Sequence, residues 1–166
     1  MHKLELSMKK EIYETLCQIC GSDQVFCEES MSRHTTFRTG GPADILVTPK
    51  AEQISEILAL CKKEQIPWTV IGNGSNLLVG DGGIRGIVME IGKQMAEISI
   101  EGTKITAGAG ATLSAIASKA AAQELTGLEF ASGIPGSLGG AVVMNAGAYG
   151  GELKDVLTEA TVLTPE

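Results

Sequence analysis

Trp68-Thr-Val-Ile71 runs directly into Gly72-Asn-Gly-Ser-Asn-Leu-Leu78. Aromatic and β-branched residues favour a pleated strand, whereas glycines alternating with short polar residues favour a loop. Toward the N-terminus, Ile54, Ile57, Leu58 and Cys61 stand at i, i+3, i+4 and i+7 within Glu52–Lys63, the spacing of one buried helical stripe. Before that helix, Ala43–Thr48 reads as a short strand closed by Pro49. Strand, helix, strand and glycine loop make a βαβ unit, whose crossover is expected to be right-handed. Nearer the N-terminus, Met8, Ile12, Leu16 and Ile19 give Leu4–Ile19 a helical period, stopped by Gly21. Residues 21–43 read as an irregular stretch ending in Thr39-Gly40-Gly41-Pro42.

Beyond the loop the pattern shortens. Leu77-Leu78-Val79, Ile87–Ile91, Glu97–Ile100 and Lys104–Ala107 read as strands, the last two joined by the turn signal Glu101-Gly102-Thr103. Thr112 is placed to cap a helix running to Gln123, with Leu113, Ile116, Ala117 and Ala120 on one face. A glycine run from Gly133 to Gly151 follows, then Glu159–Leu163 as a strand, and the sequence stops at Thr164-Pro165-Glu166. An unpaired strand at a chain end is a liability, so the chain is expected to be a piece of a longer protein.

Composition limits what such a chain can do. With 166 residues, 43% apolar and 20% charged, it can bury a core, which excludes general disorder. A formal charge of −7 supplies no basic face for sequence-independent nucleic-acid binding. No apolar run approaches the ~20 residues that span a bilayer, and the N-terminus is too charged for a secretory signal. A soluble cytoplasmic protein is expected. Cys17-Gln-Ile-Cys20 has zinc-knuckle spacing but no second pair, and it lies inside a helical pattern rather than after a strand. Together with Cys27 and Cys61 these are expected to be reduced, partly buried thiols, with no metal site.

Glycine is the outlier. Of 21, only Gly21, Gly40 and Gly41 precede position 72. Each costs backbone entropy, so this concentration points to turns with positive φ or to backbone approaching something closely. Gly72-Asn-Gly-Ser-Asn-Leu begins like a dinucleotide fingerprint, but the third glycine position holds Leu77 and no helix start follows. No Gly-Lys-Ser/Thr occurs, which excludes a Walker loop. What survives is a nest: alternating glycines let N–H groups point into one concavity suited to phosphate oxygens. Ser75 and the amides of Asn73 and Asn76 add side-chain donors. Arg85 is the nearest cation in sequence, so a diphosphate here would be held by dipoles; an ordinary loop turn is the alternative. In the second run, Ser132-Gly-Ile-Pro-Gly-Ser-Leu-Gly-Gly-Ala141 and Met144-Asn-Ala-Gly-Ala-Tyr-Gly150, most side chains from Gly139 to Ala148 are small. A flat ligand lying on that backbone, or helix packing through small residues, would each use them. Two such loops in two subdomains point to one extended ligand lying between them.

Thr36-Phe-Arg-Thr-Gly-Gly-Pro-Ala43, Ile71-Gly-Asn-Gly-Ser-Asn-Leu-Leu78, Gly108-Ala-Gly110, Gly133-Ile-Pro-Gly-Ser-Leu-Gly-Gly140 and Asn145-Ala-Gly-Ala-Tyr-Gly150 occur in this order. Together they closely resemble the shorter type of the UDP-N-acetylenolpyruvoylglucosamine reductase family, FAD enzymes of bacterial peptidoglycan precursor synthesis. The match covers roughly residues 30–166. The resemblance implies an α+β chain with the vanillyl-alcohol-oxidase-like (PCMH-type) FAD-binding fold. Its two α+β subdomains fall at 1–88 and 89–166, the second incomplete and the substrate-binding domain absent. It implies that Ile71, Gly72, Asn73, Gly74, Ser75, Asn76 and Leu77 hold the FAD pyrophosphate. The implied contacts to adenosine, ribityl chain or isoalloxazine come from three further loops. They are Gly108, Ala109 and Gly110; Ser132, Gly133, Ile134, Pro135, Gly136, Ser137, Gly139 and Gly140; and Asn145, Ala146 and Gly147. No histidine or cysteine lies in these loops, so the FAD is expected to be noncovalent.

The family reaction uses NADPH as co-substrate to reduce the flavin, which then reduces the enolpyruvyl double bond of the UDP-sugar to give UDP-N-acetylmuramate. A serine protonates the neighbouring carbon, and an arginine and a glutamate stabilise charge on the carboxylate. In the family these three lie C-terminal to everything here, the arginine in a Tyr-Arg-x-Ser segment. This sequence has no Tyr-Arg pair, so no catalytic residue is assigned. The chain alone is expected to be monomeric, to bind FAD weakly at best and to turn nothing over. Another flavin oxidase or dehydrogenase of the same fold and a non-catalytic nucleotide-binding fragment are the rival readings. Among single residues, His34 has no acid or base partner near it in sequence and receives no catalytic role. Arg38 either approaches a phosphate or is a plain surface arginine, and Tyr149 either stacks near the cofactor or packs. Trp68 is expected in the core and Asp81 in a turn.

Overall fold

The computed structural model describes residues 6–164, with side chains from residue 9; Leu4, the Met8 side chain, Pro165 and Glu166 lie outside the described residues. The chain forms two units, the first ending at Gln94 and the second beginning at Met95. A boundary after 88 would cut a strand that runs from Ile84 to Glu90, so the division falls beyond that strand.

The first unit contains α1 (Leu6–Cys20), β1 (Val25–Ser30), β2 (Pro42–Val47), α2 (Ile54–Lys63), β3 (Trp68–Ile71) and β4 (Ile84–Glu90). α1 buries Ile12 and Leu16 and ends where the Gly21 amide, at φ +91°, donates to the Cys17 carbonyl at 2.9 Å. A glycine tolerates that conformation without a Cβ penalty. α2 buries Ile57 and Cys61, with Ile54 and Leu58 packed beside them. The sheet order is β1-β2-β4-β3, with β1 antiparallel to β2 and the other pairs parallel. β4 therefore lies between the two strands of the expected βαβ unit. β3 and β4 are parallel neighbours joined by no helix; residues 72–83 make the connection, about the dozen residues a parallel crossover needs.

Four expectations are corrected. Val25–Ser30 is a strand rather than irregular, pairing with Val47–Pro42; as an exposed edge strand carrying Glu28 and Glu29 it lacks the apolar alternation of a half-buried one. Leu77–Val79 forms no strand, because Val79 turns onto the sheet while Leu78 is 74% exposed. Glu159–Leu163 forms none either: among the described residues no strand pairs with it, and an extended segment needs a ladder. Trp68 is half exposed, since β3 is a sheet edge.

β2 and β4 are covered on both faces, which is why Ile45-Leu46-Val47 and Ile87-Val88-Met89 are continuously apolar. Ile45, Val47, Ile87 and Met89 meet Ile12, Leu16 and Ile57 from the helices. Leu46 and Val88 meet Met31, Ile71 and Val79, with Leu77 packed alongside. The glycine loop is thus anchored at its C-terminal end by two apolar side chains on the sheet.

The second unit has β5 (Ile98–Glu101) and β6 (Lys104–Ala107), α3 (Leu113–Ala122), α4 (Leu138–Met144), β7 (Gly147–Ala148) and β8 (Gly151–Glu152). The β5–β6 hairpin turns at Gly102, φ +59°. Thr112 Oγ1 caps α3 by accepting from the Ala115 amide at 3.3 Å, and Leu113, Ile116, Ala117 and Ala120 are all buried. Leu113, Phe130, Ala131, Ala141 and Leu153 form a core of their own. Among the described residues no helix is long and apolar enough to cross a membrane.

Candidate functional site

The loop after β3 takes its shape from the segment before β2. Gly74 has φ +61°, and a Cβ there would lie 1.9 Å from the His34 carbonyl oxygen. Only glycine fits. The Gly74 carbonyl accepts from the Thr36 amide at 3.2 Å, and at the far end of the crossover the Gly41 amide donates to the Gly80 carbonyl at 3.0 Å. Segment 31–42 therefore holds both ends of the crossover. Among the described residues no backbone carbonyl accepts from the amides of Gly72, Asn73, Gly74 or Ser75. Those N–H groups remain for a ligand, as the nest reading requires.

His34 is not isolated. Its side chain is 17% exposed, with Nε2 3.1 Å from Glu29 Oε1 and Nδ1 2.9 Å from Glu90 Oε2. Glu29 stands near the end of β1 and Glu90 ends β4, so the imidazole ties the segment to two strands. Next to it Thr35 is buried, and its hydroxyl donates to the Thr39 carbonyl at 3.0 Å. Replacing His34 with alanine leaves two part-buried carboxylates without their shared partner. A loss on the order of 1–3 kcal/mol is expected in urea unfolding, and an unchanged midpoint would contradict the tie.

Arg85, the cation nearest the loop in sequence, is engaged elsewhere. It pairs with the fully buried Asp44 and donates to the carbonyls of Pro42 at 2.9 Å and Gly82 at 2.8 Å. Asp44 also accepts from the Gly86 amide at 2.9 Å. The cations placed beside the loop are Arg33 and Arg38, which with His34, Thr35, Thr36, Glu90 and Asn73 line a cleft of about 330 Å³. Of these residues Asn73 was expected at the site and Arg38 was weighed as a phosphate contact; Arg33, His34, Thr35, Thr36 and Glu90 were not expected there. The available signal was the motif Thr36–Ala43, whose two glycines pack against the crossover: a Cβ on Gly41 would lie 1.9 Å from the Asp81 carbonyl oxygen.

In the second unit the expected residues come together, but differently. Leu138 and Gly139 amides donate to the Ala111 and Ala109 carbonyls at 2.7 and 2.8 Å, and the Leu113 amide donates to Gly136 at 3.0 Å. The loop Gly108–Gly110 and the stretch Gly136–Gly139 are thus hydrogen-bonded to each other. The amides of Gly108, Gly110, Ser132, Ile134, Gly139, Asn145 and Ala146 all donate to carbonyls within the unit. They cannot act as ligand donors in this arrangement, so the main-chain donor reading is limited here to the remaining amides. Leu138–Met144 is a helix, and a Cβ on Gly139 would lie 3.0 Å from that of Ala109. Small residues serve helix packing at that point. Asn145, at φ +45°, bonds Glu152 Oε2 at 2.8 Å and accepts from the Lys154 amide at 3.0 Å. The Lys154 ammonium, then the Asn145 amide, hold the Glu152 carboxyl below its usual range. Asn145, Gly147, Gly151 and Glu152 line a second cleft of about 420 Å³. Tyr149, at φ +53°, is 98% exposed.

The thiols are free: Cys20 and Cys61 are buried, Cys17 is half-buried and Cys27 is exposed, more open than expected. Burial pushes Cys61 up to about 11 and raises Cys20 and Cys27, which disfavours thiolate chemistry. Among the described residues no group of three His, Cys, Asp or Glu is placed to hold a metal ion. The arrangement suits binding of an anion by main-chain donors.

Residues 42–166 match the family model described as an FAD binding domain. The chain belongs to that FAD-binding family. It is 58% identical over 151 residues to the UDP-N-acetylenolpyruvoylglucosamine reductase of Agathobacter rectalis, covering 84% of this chain and 48% of that protein. The crystal structure of the corresponding reductase from Thermus caldophilus superposes with a TM-score of 0.62 at 37% identity, over 76% of this chain and 44% of that one. The 4-ethylphenol oxidase of Gulosibacter chungangensis, at 15% identity and a TM-score of 0.59 over 73% of this chain and 26% of that one, shares the fold alone. The fold is of the vanillyl-alcohol-oxidase type, as the motifs implied. The chain spans about half the length of the curated relatives it matches.

Proposed function

We propose that this chain is the FAD-binding portion of a cytoplasmic, monomeric flavoenzyme that reduces UDP-N-acetylglucosamine enolpyruvate to UDP-N-acetylmuramate with NADPH. The observation that carries the proposal is the loop Gly72–Ser75, fixed by Gly74 at φ +61°, whose amides donate to no backbone carbonyl among the described residues. The residues Ile71–Leu77 would hold the pyrophosphate, and the loops at 108–110, 132–140 and 145–147 the rest of the dinucleotide. FAD, when bound, supplies the hydride-accepting and hydride-donating ring. This chain's own residues bind and orient it; no acid, base or carboxylate-binding residue for the substrate is assigned among them.

The test is direct. FAD added to the chain should give a bound flavin spectrum with weak affinity, and denaturing precipitation should release all the colour. Absence of flavin from the full-length protein would defeat the proposal, and colour retained on the polypeptide would defeat the noncovalent assignment. NADPH oxidation dependent on the UDP-sugar is expected from the full-length enzyme only. Turnover by the 166-residue chain would contradict that division of labour.

A further inference from the structure

We propose that His34, Glu29 and Glu90 form a proton-operated clasp that holds segment 31–38 against the loop Gly72–Ser75. The proposal rests on the reading of that loop as part of the FAD site, and it makes cofactor affinity depend on one proton.

Donor counting fixes the proton. His34 Nδ1 lies 2.9 Å from Glu90 Oε2, and Nε2 lies 3.1 Å from Glu29 Oε1. A neutral imidazole has one N–H and one bare lone pair, and an ionised carboxylate only accepts. Neutral His34 between two carboxylates therefore makes one hydrogen bond and sets a nitrogen lone pair against oxygen at the other contact. Both contacts become hydrogen bonds only when the triad holds one further proton, on the ring or on a carboxyl group. That proton belongs to the three groups together. The side chains of His34, Glu29 and Glu90 are 17%, 18% and 24% exposed, so water replaces a lost contact poorly. Glu29 faces the imidazole from β1 and Glu90 from β4. From the segment itself Arg33 Nη1 lies 3.6 Å from Glu29 Oε1, and Arg38 lines the same cleft, as does the uncharged Asn73 of the loop.

Segment 31–38 passes the state of the triad to the loop. The His34 amide donates to the carbonyl of fully buried Met31 at 2.9 Å, and Thr35 beside it is buried. A Cβ on Gly74 would lie 1.9 Å from the His34 carbonyl oxygen, so this backbone is the wall against which Gly74 turns. Two residues on, the Thr36 amide donates to the Gly74 carbonyl at 3.2 Å. With the proton present, the imidazole fastens this wall to β1 and β4 together; without it, one of the two is released. The fastened form holds one proton more than the loosened one, so raising the pH favours loosening. By linkage, FAD binding should draw a proton in.

The full-length protein carrying this sequence is titrated with FAD, by flavin fluorescence, from about pH 5.5 to about pH 8.5, across the range in which histidine titrates. Wild type should bind FAD roughly 5-fold more weakly at the alkaline end. Glu90→Gln removes the need for the proton, because its amide donates to the bare nitrogen while the ring N–H donates to Glu29. Its profile should be flat. Glu29→Gln does the same from the other side and serves if Glu90→Gln does not fold. His34→Gln offers one donor and one acceptor at every pH, and should stay at the wild type's alkaline level throughout. A flat wild-type profile overturns the clasp. A Glu90→Gln or Glu29→Gln profile as steep as wild type also overturns it, since His34 would then act only as a charge near the ligand. The flavin-free proteins are melted over the same range, where the wild-type melting point should fall with pH relative to that of Glu90→Gln. If the full-length protein binds no FAD, the cofactor reading fails and these melting points alone decide the clasp, equal slopes overturning it.

Discussion

Replacing Asp44 with alanine is expected to destabilise the first unit by about 3 kcal/mol, a large share of the 5–15 kcal/mol typical of a domain. Asp44 is fully buried and accepts from both Arg85 and the Gly86 amide. Its removal strands a guanidinium that is only 17% exposed, with two backbone carbonyls left to it. The Gly86 amide loses its acceptor as well, and no rearrangement is cheap there: Gly86 has φ +85°, and a Cβ on it would already lie 1.9 Å from the Pro67 carbonyl oxygen. Asp44→Asn keeps an acceptor and should lose less. Adding Arg85→Met to Asp44→Ala should recover much of the loss, because the cost lies in the uncompensated charge rather than in the absence of a pair. Urea unfolding followed by far-ultraviolet circular dichroism measures all three. Equal midpoints for Asp44→Ala and wild type would show that solvent reaches Arg85 freely. The effect should extend to the ligand loop, since Arg85 also holds the Gly82 carbonyl near the end of the crossover.

The parts of this fold that were legible in the sequence are those in which a local pattern has one cause. α2 was readable because four apolar residues at helical spacing have nowhere to go but one buried face, and α3 because Thr112 supplies a cap before such a face. The parts that were hidden depend on partners distant in sequence. β1 is an edge strand with a mostly exposed pattern, so nothing in Val25–Ser30 itself announces its pairing with β2. The insertion of β4 between β2 and β3 is decided by which apolar strand is covered on both faces, a tertiary outcome. α4 lay within a glycine run, where intrinsic propensity opposes a helix; its first turn is held by hydrogen bonds to Ala109 and Ala111. The candidate site divides in the same way. Gly74 was legible as part of a glycine loop needing positive φ or close backbone approach, whereas the His34–Glu90 contact spans 56 positions and Arg38 reaches the cleft only because segment 31–42 folds over the crossover. The second set of loops misled in part because sequence shows where glycines are but not where their amides point.

Gly74→Ala should weaken FAD binding roughly 100-fold, about 2.7 kcal/mol, while leaving the sheet folded. The substituted residue has to leave φ +61°, a region that L side chains occupy at a cost, and its Cβ would otherwise sit 1.9 Å from the His34 carbonyl oxygen. The obstacle is backbone, so it does not yield as a flexible side chain would. His34 is itself held through Glu29 and Glu90, so the displacement falls on the loop. Moving Gly74 carries the neighbouring amides of Asn73 and Ser75 out of the concavity on which the pyrophosphate reading depends. Gly82→Ala is the matched control: it lies in the same crossover, has no positive φ, and a Cβ there meets nothing within 4 Å. Its FAD affinity and melting point should stay close to wild type. The two variants are compared by flavin fluorescence titration on proteins of verified fold. If Gly74→Ala binds FAD as well as Gly82→Ala does, the loop after β3 is not where the dinucleotide is gripped, however well its amides are exposed.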